Sequence, residues 1–278
     1  MQSNRERLRL ILRLAINEIS EEAKALSRDR REPARREKLK VEFRLRRLIL
    51  RYFRAQRQQI LQAVELSMPE RKAIWDVEAW VNSIFGIDER AKDKLNADVM
   101  RLVLAATNGG VDLFRRNAAI ELDYTQINAN ASAAVQQYVG DLISNIDKTT
   151  RETVRQAVQQ FVDTPGMTIG DLRNALPFNA QRANTIAVTE VTRAYGEGER
   201  VAGEALREQF PDVKVVKKWY TNEDDKVCPL CGPLGDADRW IPIDKAFDID
   251  RRTGEMYMNP PRHVNCRCWI ATRTDING

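Results

Sequence analysis

Every cysteine and the only histidine of this 278-residue chain lie in its last quarter. Together they fall within about forty positions, as Cys228, Cys231, His263, Cys266 and Cys268. Thiolate and imidazole are ligands with which proteins commonly hold Zn²⁺. The sequence therefore predicts one metal site near the C-terminus, with these five side chains as candidate ligands.

The candidate ligands form two arms of equal spacing. Two residues separate Cys228 from Cys231, and two residues separate His263 from Cys266. A gap of this size lets a tight turn aim two donor atoms at one ion. Because a structural zinc site takes four ligands, one candidate is surplus. We favour Cys228, Cys231, His263 and Cys266, with Cys268 as the substitute, since Cys266 and Cys268 would share one face of a strand.

Two disulfides, or free thiols in a core, are the competing interpretation of the cysteines. Disulfides need an oxidising compartment. The N-terminus is too charged for a secretory signal, and no apolar run approaches the length that spans a bilayer. We therefore expect a protein that has no membrane partner and is kept in a reducing cytoplasm, where metal binding is favoured over disulfides.

The number of candidate ligands favours a structural site over a catalytic one, which would keep a position for water. Asp224 and Asp225 precede the first arm and could orient a ligand, cap a turn or serve as a general base. Glu190 could be an active-site carboxylate or could pair with Arg193 on the same helix face. Because no second acid or nucleophile stands at a defined spacing from Glu190, we predict no catalytic residue and no enzyme.

Three groups of residues in the C-terminal half resemble a known family. They are Thr189, Glu190, Val191, Thr192, Arg193, Ala194 and Tyr195; then Trp219, Thr221, Asp224 or Asp225, Val227, Cys228, Pro229 and Cys231; then Pro260, Pro261, His263, Asn265, Cys266, Arg267 and Cys268. The series is similar to the phage head morphogenesis family, typified by protein F of phage Mu and the minor head protein of phage SPP1. The similarity covers roughly 149–270, and the P-P-x-H-x-N-C-R-C ending is its most specific part.

The resemblance implies a minor capsid protein that is present in few copies, is associated with the portal and acts in head assembly or DNA delivery. Related domains also occur fused to toxins, so the resemblance leaves a toxin-like enzyme open.

Helical spacing dominates the chain before the cysteines. Apolar residues recur at helical steps over about 5–26, and again from Phe43 to Val64 after Pro33. Further helices are expected through Trp75 and Trp80 to about Gly86, and from about residue 88 with an interruption or end at 108–110. The helical spacing of apolar residues resumes around 135. A new helix is expected after Thr149 or Thr150, and a last long helix over about 180–209.

The pattern changes after the last helix. Valines and aromatic residues alternate with lysines over 213–220, which is typical of a strand, and shorter strands are expected at 240–243 and 266–272. We predict an α-rich, α+β fold in which an elongated helical N-terminal region precedes a small zinc-pinned antiparallel sheet packed on a long helix. The expected divisions are a basic helical hairpin over 1–66, a helical region over 67–148 and a zinc-containing module similar to Mu protein F over 149–278.

Positive charge is concentrated at the N-terminus. Residues 1–60 contain 18 Lys and Arg against 8 Asp and Glu, whereas the whole chain has a formal net charge of +5. Arginine favours phosphate and carboxylate partners. The basic segment is therefore either a solvated face of a helical hairpin or a surface that binds double-stranded DNA or an acidic protein.

We accordingly expect a structural head protein of a tailed phage, assembled in the host cytoplasm and located in the virion head, with the portal or major capsid protein and packaged DNA as partners. Two alternatives stay open. One is a zinc-supported nuclease, because His263, Asn265 and a cysteine knuckle resemble a His-Asn-His site; the other is a sequence-independent DNA-binding module.

Overall fold

The computed structural model describes residues 32–67, 76–86, 89–118, 124–222 and 224–275. The helices in these ranges are α1 (Arg35–Ser67), α2 (Val77–Gly86), α3 (Glu89–Ala118), α4 (Tyr124–Asp163), α5 (Ile169–Ala175), α6 (Ala180–Gln209) and α7 (Gly232–Asp236). The strands are β1 (Lys214–Tyr220), β2 (Ile241–Pro242), β3 (Asp248–Ile249), β4 (Met256–Tyr257) and β5 (Trp269–Asp275). The chain is thus helix-rich with small antiparallel sheets, and the expected α+β class is confirmed.

The larger sheet has the strand order β2-β1-β5, with every pair antiparallel. In its register Val216 lies opposite Arg273, and Trp219 lies opposite Ile270. A separate two-stranded hairpin joins β3 and β4, which the sequence did not lead us to expect. The last strand begins at Trp269 rather than at Cys266, so the expectation that Cys266 and Cys268 share a strand face is wrong, because both precede the strand.

The described residues group into two compact units, each assembled from separate stretches. The first unit contains the described parts of the ranges Met1–Val41, Val103–Ala134 and Val188–Gly278. The second unit contains those of Glu42–Leu102 and Val135–Ala187. The linear division at 66 and 148 that the sequence suggested stays a prediction.

The first unit has two apolar clusters. One lies among α3, α4, α6 and β1, and its members are Val111, Phe114, Ala118, Ile127, Val201, Ala202, Ala205, Leu206, Val215 and Ile243. The other surrounds the cysteines and consists of Trp219, Cys231, Phe247, Cys266, Cys268 and Ile270. The sheet also contacts α6 directly through the Thr272 hydroxyl, which donates to the buried carboxyl of Glu199 at 3.1 Å.

The second unit contains helices and connecting turns, and no strand, in its described part. Buried residues from its helices, among them Leu45, Ile49, Leu95 and Val99, surround a small apolar cavity. The ring of Phe53 packs on that of Phe178 at 5.6 Å between centroids. Because the apolar positions of α1 recur at helical spacing, one face of that helix is buried and the opposite face is exposed.

Local signals determine where the later helices begin. The Thr168 hydroxyl accepts from the Asp171 N–H at 3.2 Å, and the Asp171 carboxylate accepts from the Thr168 N–H at 2.8 Å, which is the expected capping box. The Asn179 side chain accepts from the Arg182 N–H at 2.8 Å at the start of α6. The bounds of α6 agree with the sequence-based expectation.

Two expected helix breaks are wrong. The helix α3 continues through Gly109 and Gly110 to Ala118, and α4 continues through Thr149 and Thr150 to Asp163. The Thr149 hydroxyl donates back to the Asn145 carbonyl at 2.9 Å, so the threonine is satisfied inside the helix instead of capping a new one.

Glycines of α3 and α6 allow these two helices to pack closely. A Cβ at Gly110 would lie 2.1 Å from the Tyr195 carbonyl oxygen, and a Cβ at Gly198 would lie 2.0 Å from the Thr107 carbonyl oxygen. Glycine therefore lets the backbones of α3 and α6 touch where they cross, which outweighs its poor helix propensity of about 1 kcal/mol.

The expected helix over 5–26 and Trp75 lie outside the described residues. Among the residues that the structure does describe, no helix combines the length and the apolar character needed to cross a bilayer.

The helix crossing generates a first prediction. We expect Gly110→Ala to lower the free energy of unfolding by about 3 kcal/mol or more, because a methyl group would overlap a main-chain carbonyl that cannot move aside cheaply. The measurement is urea denaturation followed by circular dichroism.

The matched control is Gly170→Ala in α5, where the nearest atom to an added Cβ is the Thr168 hydroxyl at 3.4 Å. That change should alter stability little or raise it by up to about 1 kcal/mol. Equal effects of the two substitutions would contradict a close helix crossing.

Candidate metal centre

The first arm of the site is a tight turn between β1 and α7. The Cys231 N–H lies 3.1 Å from the Cys228 carbonyl and 3.3 Å from the Cys228 sulfur, and the Gly232 N–H donates to the same carbonyl at 3.0 Å. Pro233 then starts the short helix. The turn therefore brings both sulfurs to one side and directs a main-chain amide at the first of them.

The second arm leads into β5. Asn265 adopts a left-handed backbone conformation with φ of +59°, which asparagine tolerates better than most residues. Its N–H donates to the Thr189 hydroxyl of α6 at 2.7 Å. The turn between His263 and Cys266 is thereby attached to the long helix, and the threonine, which is polar yet buried, has a defined partner.

The two arms bring all five candidate ligands together. Cys228, Cys231 and His263 form one group and Cys231, Cys266 and Cys268 form a second, and within each group the ligand atoms lie within 4.8 Å of one another. His263 Nε2 is 3.0 Å from Cys228 Sγ, and Cys231 Sγ is 3.9 Å from Cys266 Sγ. Cys231 belongs to both groups, and the cluster could hold a metal ion.

The orientation of His263 fits metal binding. Its Nδ1–H donates to the Val264 carbonyl at 2.8 Å, which leaves Nε2 directed at the Cys228 sulfur. A main-chain partner on one ring nitrogen is the usual way in which a metal-binding histidine is held in the correct tautomer. The structure therefore has the geometry expected when Nε2 is the ligand atom.

The buried thiols influence one another strongly. Hydrogen bonds from Cys231 and Cys268 lower the pKa of the Cys266 thiol, whereas the hydrogen bond to Cys266 and burial raise the pKa of Cys231. All four cysteines are free thiols in the structure. A bound cation would stabilise such a cluster most if all of its sulfurs were thiolates.

Two arginines brace the arms. Arg262 donates to the Leu230 carbonyl at 2.7 Å, forms an ion pair with Asp248 and lies over the Tyr257 ring. Arg267 forms a bidentate pair with Asp224, with both distances 2.8 Å. The hydrogen bonds from Arg267 are the main cause of the lowered pKa of Asp224, so this carboxylate braces the site.

Sequence reasoning did not predict the burial of Lys217. This lysine of β1 is fully buried, donates to the Met258 carbonyl at 2.5 Å and lies 5.1 Å from the centroid of the Phe247 ring. Burial lowers its pKa to about 8. The interleaved lysines had indicated only a strand, and no local signal in the sequence distinguishes Lys217 from its neighbour Lys218.

Glu190 lies buried on α6, one residue after Thr189. Desolvation raises its pKa to about 7, and the guanidinium of Arg193, with Nε 3.5 Å from a carboxylate oxygen, opposes that shift only partly. The pairing of these two residues is the one expected from their spacing.

No family model, curated protein or solved structure matches the chain. The assignment of a function therefore rests on the residues and on their geometry.

The raised pKa of Glu190 predicts a pH-dependent stability. Since the folded protein holds this proton more tightly than the unfolded chain, the contribution favours folding at acidic pH and is lost as pH rises from about 4.5 to 7. In Glu190→Gln we expect the stability difference from wild type to change by up to about 3 kcal/mol over that interval.

The measurement is urea denaturation at a series of pH values, with wild type and variant in the same metal-containing buffer. Glu208→Gln, at an exposed position of the same helix, controls for the loss of one negative charge. If the free energy of unfolding changes with pH in the same way for wild type and Glu190→Gln, Glu190 is ionised over the whole pH range and the prediction is wrong.

Proposed function

We propose that this protein is a minor capsid protein of a tailed phage, in which a structural zinc site stabilises a docking module for the portal or the major capsid protein. The protein would be assembled in the host cytoplasm and located in the virion head, where it would act in head assembly or in DNA packaging or delivery. Packaged DNA would be a further partner of its basic helices. It would have no catalytic function.

One contact carries this proposal. The hydrogen bond from the Asn265 N–H to the Thr189 hydroxyl, at 2.7 Å, joins two of the stretches in which the chain resembles head morphogenesis proteins. The bidentate pair of Arg267 and Asp224 joins the second and third stretches in the same way. The residues of the resemblance thus act as one structural unit, which supports reading them as a single inherited module.

The geometry of the cysteines supports zinc as the ion. Two sulfurs that bind one tetrahedral Zn²⁺ at about 2.3 Å lie about 3.8 Å apart, and Cys231 Sγ and Cys266 Sγ are separated by 3.9 Å. Three cysteines and one histidine form a common closed zinc site. Cys228, Cys231, His263 and Cys266 would bind the ion, and Cys268 would be the substitute.

The position of His263 favours a structural protein over a nuclease. A His-Asn-His nuclease needs a histidine that activates water. The chain has one histidine, and its Nε2 is directed at the Cys228 sulfur. If that nitrogen binds the ion, no imidazole is left to act as a base.

The proposed zinc site predicts different results for the ligand cysteines and for Cys268. We expect about one zinc per chain in wild type by inductively coupled plasma mass spectrometry, and loss of that zinc together with a lower unfolding temperature in Cys231→Ser. Cys268→Ser makes the same chemical change beside the same site and should retain the metal.

Cys228→Ser should behave like Cys231→Ser. Retention of zinc in Cys231→Ser would contradict a site centred on this residue. Loss of zinc in Cys268→Ser together with its retention in Cys266→Ser would show that Cys268, and not Cys266, is a ligand.

The head assignment is tested by assembly. The chain is co-expressed with the portal and major capsid proteins of the same genome, heads are purified on a gradient, and the fraction of this chain that sediments with them is measured. We expect co-sedimentation for wild type and Cys268→Ser and its loss for Cys231→Ser, because the docking module would lose its order without the ion.

A wild-type chain that stays free of heads and of portal would refute the proposed function. Metal-dependent DNA cleavage by the purified protein, abolished in His263→Cys although zinc is retained, would establish the nuclease alternative instead.

A further inference from the structure

The exposed face of α1 is a continuous basic surface. Arg44, Arg47, Arg51 and Arg54 are all exposed and follow one another at steps of three, four and three residues. At about 1.5 Å of rise per residue, these four guanidinium groups extend along about 15 Å of one helix face. We call these four residues the arginine stripe.

The stripe lies opposite the face of α1 that packs into the second unit. Leu45, Ile49 and Phe53 alternate with the stripe along the chain and are almost fully buried. Because a helix exposes opposite sides at these two sets of positions, the apolar side chains hold the helix while the arginines stay available to a partner.

The carboxylates of α1, which are Glu37, Glu42 and Glu65, all lie outside the stretch from Phe43 to Val64. From Phe43 to Val64 the helix contains no Asp or Glu at all. None of the four arginines forms an ion pair with another residue in the described part of the chain. Elsewhere on the second unit the half-buried Arg155 pairs with Glu152, and the exposed Arg101 pairs with Asp98. The stripe thus carries four charges that require a counter-charge from outside.

We propose that the arginine stripe is a binding site for the phosphodiester backbone of a nucleic acid. Charge complementarity selects this occupant, because a duplex carries one negative charge per roughly 1.7 Å of axis and so presents about nine charges over the length of the stripe. Guanidinium forks bind phosphate oxygens in a bidentate manner. Exposed large apolar side chains lie only at the N-terminal end of the stripe, where Phe43 lies under the Arg47 guanidinium at 5.6 Å and Leu39 lies one turn before it. From Arg47 to Arg54 the described helix exposes no large apolar anchor of the kind that a protein interface uses.

The stripe has no means of reading a base sequence. Arginines spaced along one exposed helix face in contact with phosphates position a protein on a duplex, whereas specificity needs contacts with base edges in a groove. Binding should therefore be independent of sequence and should weaken steeply with salt. The inference names a site for one partner in the proposed function, but it rests on the charge of α1 and not on the metal centre.

The test measures binding of the purified full chain to a 30-base-pair DNA duplex by fluorescence anisotropy at several salt concentrations, with two unrelated sequences. The stripe variant carries Arg44→Gln, Arg47→Gln, Arg51→Gln and Arg54→Gln. Its matched control carries Lys94→Gln, Arg101→Gln, Lys148→Gln and Arg173→Gln, which remove the same charge from exposed positions of other helices in the second unit. Circular dichroism and thermal unfolding verify that both variants fold.

We expect the stripe variant to bind more weakly by a factor of ten or more near physiological salt. The slope of log K against log salt should also become shallower by about 3 to 4, since each phosphate contact contributes about 0.9. The control variant should lose much less, and the two DNA sequences should bind equally. Equal losses in the stripe and control variants, or unchanged binding by the stripe variant, would overturn the proposal.

Two further probes identify the partner. Polyglutamate of matched length that binds as tightly as DNA, with the same dependence on the stripe, would assign the face to acidic proteins and refute the phosphate site. A duplex RNA distinguishes the two nucleic acids, and binding to either supports the inference. The assembly experiment with portal and capsid proteins is scored separately, so that a failure of the head assignment leaves this result unaffected.

Discussion

The convergence of four sulfurs and one imidazole organises the last fifty residues of this protein. The two groups of ligand atoms, each contained within 4.8 Å, meet at Cys231. The strands around them are short, and the apolar cluster of this region consists largely of the cysteines themselves with Trp219, Phe247 and Ile270. A module with so small a core depends on a bound ion, or on its attachment to a larger element, to keep one conformation. Here Asn265 and Thr272 attach the module to α6, and the clustered side chains could hold an ion.

The helix α6 is therefore the element that connects metal centre and helical core. Two of its buried polar residues, which look out of place in a packed helix, have partners that only the fold supplies: Thr189 accepts from Asn265, and Glu199 accepts from Thr272. On the side toward α3, Gly198 opposes Thr107 and Gly110 opposes Tyr195, so that the two helices meet backbone to backbone. The close crossing leaves little freedom in the position of α6, and hence in that of the second metal-binding arm. Rigid support of this kind suits a docking surface.

The arginine stripe and the candidate metal ligands lie in different parts of the chain. The exposed arginines of α1 belong to the second unit, whereas the candidate ligands belong to the first. The proposed nucleic-acid site and the candidate metal centre therefore share no residue. In the proposed head protein, DNA contact and attachment to the shell would then depend on different residues and could be lost separately.

Local patterns in the sequence were enough to predict the class of fold, the bounds of α6, the capping box at Thr168 and the identity of the five clustered side chains, because periodicity, caps and donor spacing act over a few residues. Tertiary structure decided the rest. Whether Gly110 ends a helix or lets it touch another depends on the partner helix. The burial of Lys217 and the partner of Thr189 arise from residues distant in sequence. Such contacts are set by packing between elements, which no local pattern records.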